Sequence, residues 1–313
     1  MAIFDVLIIG GGPAGLSVAT GLARQLHRAV VFDSGIYRNA LASHMHNVAS
    51  WDHKSPEEFR QAARERIQRY DTIQFENAEI KKVERNAEGS FTAIDSKERV
   101  WKGKKLVLAN GVRDIFPDIA GYGECWALGI FHCLFCHGFE ERGCETAAVL
   151  AIGDMANVMP AMHVARMARR FATTVTIYTH GAQELTQALE KASDGTGIRV
   201  DSRPIARLVK GQGKSDVEVA FEDGTQRMEG FLVHKPKTEI NGPFAEQLGL
   251  HLSSDGDIKT TEPFYSTSIP GVFAAGDCAG PMKAVVTAMS SGTLVAGGLA
   301  GQLQAELYSG EQK

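Results

Sequence analysis

Apolar residues in this chain fall in short unbroken runs instead of alternating with polar ones. Val6-Leu7-Ile8-Ile9 is such a run, the pattern of a strand buried on both faces, as in a parallel sheet. It leads directly into Gly10-Gly11-Gly12-Pro13-Ala14-Gly15. Helical spacing follows over residues 14–26. A second apolar run, residues 29–32, ends on Asp33. The order is strand, glycine turn, helix, strand, acid. A weaker copy appears later: a strand over 147–152, a turn at Gly153-Asp154-Met155-Ala156, a helix over 160–171 and a strand over 174–178. Two copies of one unit predict an α/β protein with two Rossmann-like, three-layer ββα nucleotide-binding domains.

Between the copies, residues 91–94 and 100–108 read as strands. Phe221-Glu222-Asp223-Gly224-Thr225 is a hairpin turn. Residues 271–275 form a strand running into Gly276-Asp277, and 287–303 carry the small residues of a closely packed helix. Pro and Gly interrupt the pattern at 114–117 and 236–242, which places the domain joints there.

Composition narrows the function classes. The length suits about two domains. The 33 basic and 37 acidic residues leave a net charge of −4, so no basic footprint for nucleic acid or an anionic membrane is present. No apolar run reaches the ~20 residues of a membrane span. The first residues read as a buried strand and not as a signal peptide. Five cysteines are too few for a disulfide scaffold and odd in number. A reducing, cytoplasmic location is expected, and any close cysteine pair falls under suspicion of catalysis or metal binding.

Gly10, Gly12 and Gly15 form G-x-G-x-x-G between a strand and a helix. The first glycine permits the tight turn, the second lets backbone approach a pyrophosphate, and the third lets helix and strand pack closely. The helix N-terminus, from Pro13 and Ala14, offers free N–H groups to phosphate. Asp33 ends the next strand, where a carboxylate accepts from ribose hydroxyls. This motif alone leaves FAD and NAD both open. Cys133-Leu134-Phe135-Cys136 is a C-x-x-C pair flanked by His132 and His137. Such thiols close a small disulfide, and a nearby histidine or helix start favours one thiolate. Either histidine suits a general base at neutral pH. Zinc on Cys125, Cys133, Cys136 and Cys144 is the competing use, but only one C-x-x-C is present. His44 and His46 form an H-x-H pair with no carboxylate cluster in the sequence, so no metal is expected.

Ala275-Gly276-Asp277-Cys278-Ala279 resembles the second FAD motif of thioredoxin-reductase-like flavoproteins, and Ala109-Asn110-Gly111 resembles their Ala-Thr-Gly joint, with Asn110 in place of Thr. The resemblance extends to a group of FAD-dependent dithiol oxidases of gliotoxin and holomycin type. It is carried by 19–27, Val31-Phe32-Asp33-Ser34-Gly35, His44-Met45-His46-Asn47-Val48, 131–136 and Asn241-Gly242-Pro243-Phe244. It implies FAD as cofactor, held by Gly10, Gly12, Pro13, Ala14, Gly15, Asp33, Ser34, Arg38, His46, Ala109, Gly111, Asp277, Lys283, Ala284 and Val285. The FAD-binding domain is then 1–116 with 242–313, and 117–241 is an inserted NADPH-like domain carrying the cysteines. Cys136 lies against the flavin in that family and Cys133 exchanges with substrate, while His132 matches the oxidases' catalytic histidine. His137 stands where the reductases have an acid. A homodimer is implied as well.

The second glycine turn is degenerate. Ala151 replaces its first glycine, and Thr179-His180-Gly181 follows the next strand where basic residues would hold a 2′-phosphate. The expectation is therefore an FAD enzyme that oxidises a small-molecule dithiol to its disulfide through Cys133 and Cys136 and reduces O₂ to H₂O₂, in secondary metabolism or self-protection. An NADPH-dependent or ferredoxin-dependent disulfide reductase is the alternative, and a non-turning dithiol-sequestering protein a further one.

Overall fold

The computed structural model describes residues 3–309. In chain order, β1 (Phe4–Ile9), α1 (Pro13–Arg24) and β2 (Ala29–Asp33) come first. There follow α2 (Pro56–Ile67), β3 (Ile73–Asn77), β4 (Ile80–Arg85), β5 (Phe91–Asp95), β6 (Val100–Leu108) and β7 (Val112–Ile115). Next are α3 (Tyr122–Cys125), β8 (Ile130–Phe131), β9 (Cys144–Leu150), α4 (Val158–Ala168), β10 (Ala172–Tyr178) and α5 (Gln183–Ser193). Strands β11 (Ile198–Asp201), β12 (Ile205–Lys210), β13 (Val217–Phe221), β14 (Gln226–Glu229), β15 (Leu232–Val233) and β16 (Lys237–Ile240) follow. The chain finishes with α6 (Phe244–Leu248), β17 (Val272–Ala274) and α7 (Val285–Ser309).

Two compact units result. The first joins Met1–Arg113 to Thr238–Lys313, and the second is Asp114–Lys237. The sequence put the crossings at 116/117 and 241/242, a few residues later. The chain crosses inside β7, at the start of the 114–117 stretch, and inside β16, within 236–242; the two strands pair as a two-stranded sheet, so the division falls within extended backbone.

The first unit is built on a seven-stranded sheet, β3-β2-β1-β6-β5-β4, with β17 also paired to β6. Strands β1, β2, β3, β6 and β17 run parallel, while β4 and β5 form an antiparallel meander. The unbroken run of β1 serves two cores. Val6 and Ile8 pack with α1 and α7, and Leu7 and Ile9 pack with Phe32, Phe91 and Phe244 on the other face. All four residues are at most 5% exposed, as a strand covered on both faces requires. Ser55 caps α2, with Glu58 closing a reciprocal capping box and Pro56 at the helix start.

The second unit has a parallel sheet, β11-β10-β9-β15-β8, and an antiparallel sheet, β12-β13-β14. Val149 and Val175 face α4 and α5, while Ala148, Leu150 and Tyr178 face β12, β13 and the rings of Tyr122 and Trp126. The hairpin at Phe221–Thr225 joins β13 to β14 as expected. Helix α4 starts earlier than the sequence suggested because Asn157, and not Pro160, is its cap: the Asn157 Oδ1 accepts from Met159 N at 3.1 Å.

Candidate active site

The glycine turn sits where β1 hands over to α1. A side chain at Gly10 would place Cβ 2.1 Å from Ala109 O, and one at Gly15 would place it 1.9 Å from Gly10 O. Backbone therefore packs on backbone at both positions. At Gly12 a Cβ would meet nothing within 4 Å. Gly12 caps α1 without a side-chain hydrogen bond, so the helix N–H groups remain available to an anion.

Asp33 is buried. Its carboxylate accepts from Gly35 N at 3.0 Å, Tyr37 Oη at 2.6 Å and Arg64 Nη1 at 2.9 Å. Burial and the hydrogen bond to Asp33 push the Tyr37 hydroxyl up to about 12. Asp33, Ser34, Gly35, Tyr37, Arg64 and Arg99 are among the residues lining a pocket of about 220 Å³. Tyr37 lies within the Asp33–Arg38 stretch that the resemblance assigns to FAD; Arg64, which reaches Asp33 from outside the motif, and Arg99, which lines the same pocket and binds Asp95 and Glu76, are not in it.

Asp277 lies in the turn after β17, 3.3 Å from Arg38 Nη1. Lys283 turns inward: its Nζ donates to Asp257 Oδ1 at 2.5 Å, Asp277 O at 2.7 Å and Gly280 O at 2.9 Å. Its side chain thus fastens this loop, and only its backbone faces outward with Ala284 and Val285. Cys278 is fully buried and packs, its Sγ 3.3 Å from Ala275 O; burial pushes its thiol up to about 12. Asn110 and Asn241 bind each other's backbone, Asn110 through its Nδ2, while Asn110 Oδ1 is buried and unpaired.

These features fit FAD. An uncapped helix N-terminus beside an open glycine, a buried acid at the end of β2, the Arg38–Asp277 pair and an orphaned carbonyl at Asn110 give donors and acceptors for phosphate, ribose and ring. His46 has its Nδ1 3.9 Å from Asp52 Oδ1, and His53 Nε2 lies 3.7 Å from Asp52 Oδ2. Ligand atoms of His46, Asp52 and His53 all lie within 4.8 Å of one another. The sequence shows no carboxylate cluster beside the H-x-H pair; the loop folds the single carboxylate of Asp52 onto His46 and His53, and His44 is not part of that group.

In the second unit Cys133 and Cys136 are joined as a disulfide, with Cα atoms 5.2 Å apart. The turn carrying them starts like a helix: Cys136 N donates to Cys133 Sγ at 3.1 Å, and His137 N donates to Cys133 O at 3.0 Å. A backbone donor aimed at the Cys133 sulfur favours its thiolate. His132 stacks on Trp126, and His137 stacks on Phe131 with centroids 3.8 Å apart. Phe135 is 72% exposed. Cys125 is buried, which pushes its thiol up to about 11, and burial raises the Cys144 thiol also. With two of the four thiols spent in a disulfide, the four-thiolate zinc arrangement is not formed.

The nucleotide turn of this unit keeps an open second glycine, Gly153, where an added Cβ would meet nothing within 4 Å. Ala151, in place of the first glycine, is buried. His180 adopts φ +47° and its Nδ1 accepts from Ile205 N at 2.9 Å. Arg169 Nη1 is bound to Ala172 O, and Arg203 is paired with Asp201.

The pyridine nucleotide-disulphide oxidoreductase family matches over residues 4–292. The chain belongs to that family. It is 47% identical to the thioredoxin reductase aclD of Aspergillus oryzae over 305 residues, 96% of each chain. It is 43% identical to the thioredoxin reductase sirT of Leptosphaeria maculans, over 95% of this chain and 94% of that one. The crystal structure of HlmI superposes with a TM-score of 0.89 at 29% identity, over 99% and 95% of the two chains. This family member is a flavin disulfide oxidoreductase of thioredoxin-reductase type, and FAD is its cofactor.

Proposed function

We propose that this flavoprotein oxidises a small-molecule dithiol to an intramolecular disulfide, with O₂ as final acceptor, in the chemistry of epidithiodiketopiperazine-like metabolites. The observation that carries the reading is a nucleotide turn with buried Ala151 in place of its first glycine, in a unit whose cysteine pair is intact. A donor site for NADPH needs glycine at the tight first position of its turn and uncommitted basic groups; here Ala151 stands at that position, and His180, Arg169 and Arg203 are otherwise engaged.

In this scheme a substrate thiol gives its proton to His132 or His137. The thiolate attacks Cys133 Sγ, the Cys133–Cys136 bond breaks, and Cys136 leaves as thiolate. The second substrate thiolate then attacks the substrate sulfur of the mixed disulfide. The product ring closes and Cys133 leaves as thiolate, so the protein pair has gained the two electrons the dithiol lost. Bound FAD supplies the acceptor for that electron pair and the route to O₂, which becomes H₂O₂. Exposed Phe135 offers an apolar face beside the sulfurs. The homodimer and the cytoplasmic location belong to the same proposal.

Cys136→Ser tests it. The variant keeps its flavin and loses dithiol-dependent oxygen uptake; retained uptake removes the central step. The relatives' names favour a second reading, an NADPH-dependent disulfide reductase. Anaerobic mixing separates the two: bleaching of the flavin by a small dithiol and not by NADPH supports the oxidase, and rapid bleaching by NADPH supports the reductase.

A further inference from the structure

The 3₁₀ turn Phe139–Glu141 brings a carboxylate back onto the residue that follows the cysteine pair. Glu141 Oε1 lies 2.9 Å from His137 Nε2 and 2.9 Å from Ser215 Oγ, with Lys214 Nζ at 3.4 Å. The Glu141 side chain is 2% exposed and that of His137 is 30% exposed. Burial pushes the Glu141 carboxyl up. The hydrogen bonds from His137 and Ser215, with the charge of Lys214, outweigh that and hold it below the usual carboxylate range. Gly138 makes the fold-back possible, because a Cβ there would fall 2.3 Å from Leu134 O and 2.9 Å from the Phe171 ring.

The geometry decides a ring orientation. Nε2 faces an ionised, buried acceptor and therefore carries its proton. Nδ1 has no hydrogen-bond partner among the described residues. Phe131 on the ring face limits rotation. A carboxylate that fixes a histidine tautomer and steadies the imidazolium is the arrangement that makes imidazole an effective base elsewhere in enzymology.

We propose that Glu141 is a positioning residue that holds His137 with Nδ1 unprotonated, and that His137 rather than His132 is the proton acceptor for thiols at the Cys133–Cys136 pair. In the step assigned, a thiol S–H transfers its proton to His137 Nδ1. A thiolate and an imidazolium result, the imidazolium is paired with Glu141, and no electrons move. The inference deepens the dithiol reading but needs only that Cys133 and Cys136 are redox-active.

The test uses FAD-loaded protein, reduced by a phosphine under anaerobic conditions. Alkylation of Cys133 and Cys136 by iodoacetamide is followed by mass across the pH range. Glu141→Gln is expected to move the midpoint of thiolate reactivity upward by about one pH unit, roughly tenfold less thiolate near neutrality. His137→Gln is expected to do the same, and the double variant to do no more than either alone. Glu141→Asp should restore part of the shift. A merely structural Glu141 would lower stability without moving the midpoint. An unchanged midpoint in His137→Gln, or in folded Glu141→Gln, overturns the proposal, and so does a midpoint that moves with His132→Gln and not with His137→Gln. His137→Gln, at a partly exposed position, carries the test if Glu141→Gln fails to fold. Oxygen uptake is measured separately: shifted midpoints without uptake in the native protein keep the dyad and remove the oxidase reading.

Discussion

Lys283 and Asp257 form a salt bridge with side chains only 6% and 10% exposed, and the Asp257→Asn substitution probes it. The ammonium has three acceptors; the change leaves Asp277 O and Gly280 O untouched and replaces the third, a carboxylate oxygen, by a neutral amide oxygen. Removing one partner of a buried pair costs about 3–5 kcal/mol because the remaining charge is left uncompensated. The surviving carbonyls place this variant near the lower end, about 3 kcal/mol. For a unit of this size, at about 2–4 °C per kcal/mol, the melting temperature should fall by roughly 6–12 °C. FAD should also dissociate faster, because Lys283 ties down the turn bearing Asp277. Circular dichroism melts of apo and flavin-loaded protein, with flavin release followed by fluorescence, read both effects. Pairing Lys283→Met with Asp257→Leu should recover most of the loss, since an apolar pair leaves no buried charge. A fall of less than about 2 °C in Asp257→Asn would refute the reasoning.

The remaining predictions concern other parts of the chain. His234 is buried, its Nδ1 2.7 Å from the Tyr122 hydroxyl, and desolvation pushes it from 6.5 down to about 4. The unfolded chain therefore binds the extra proton first. Stability of the second unit is full above about pH 6.5 and is lost as pH falls towards about 4, by about 3 kcal/mol. A urea series across that window in native protein and in His234→Gln, where the slope should flatten, checks this. Gly15→Ala, with Cβ 1.9 Å from Gly10 O, should weaken FAD retention at least tenfold, about 1.4 kcal/mol or more, as read by flavin content after gel filtration. Gly138→Ala should disorder the turn between Cys136 and Glu141, slowing thiol alkylation at neutral pH while leaving flavin content unchanged.

Much of this architecture was legible in the chain because local chemistry and burial agreed. Val6 to Ile9 is apolar on both faces and is covered on both faces. Gly10 and Gly15 sit where the tight turn and the close helix–strand packing leave no room for a Cβ, and Gly12 faces open space. What stayed hidden depends on contacts distant in sequence. Arg64 meets Asp33 from 31 positions away, and nothing in its own neighbourhood announces this. Glu141 had a signal, an acid one helical turn after His137, but an i,i+4 pair on a presumed surface is ordinary. Only the burial of Glu141 against Ser215 separates it from a solvated pair. Asp52 was missed because the sequence does not say which way the loop at 44–53 doubles back.

Helices α1 and α7 meet through Gly21 against Ala296 and Gly292 against Ala14 O, where added methyls would come within 2.5 and 2.3 Å of their neighbours. Because α1 begins at the glycine turn and α7 begins beside Lys283, one methyl driven in as a wedge would lever apart both ends of the flavin cradle at once.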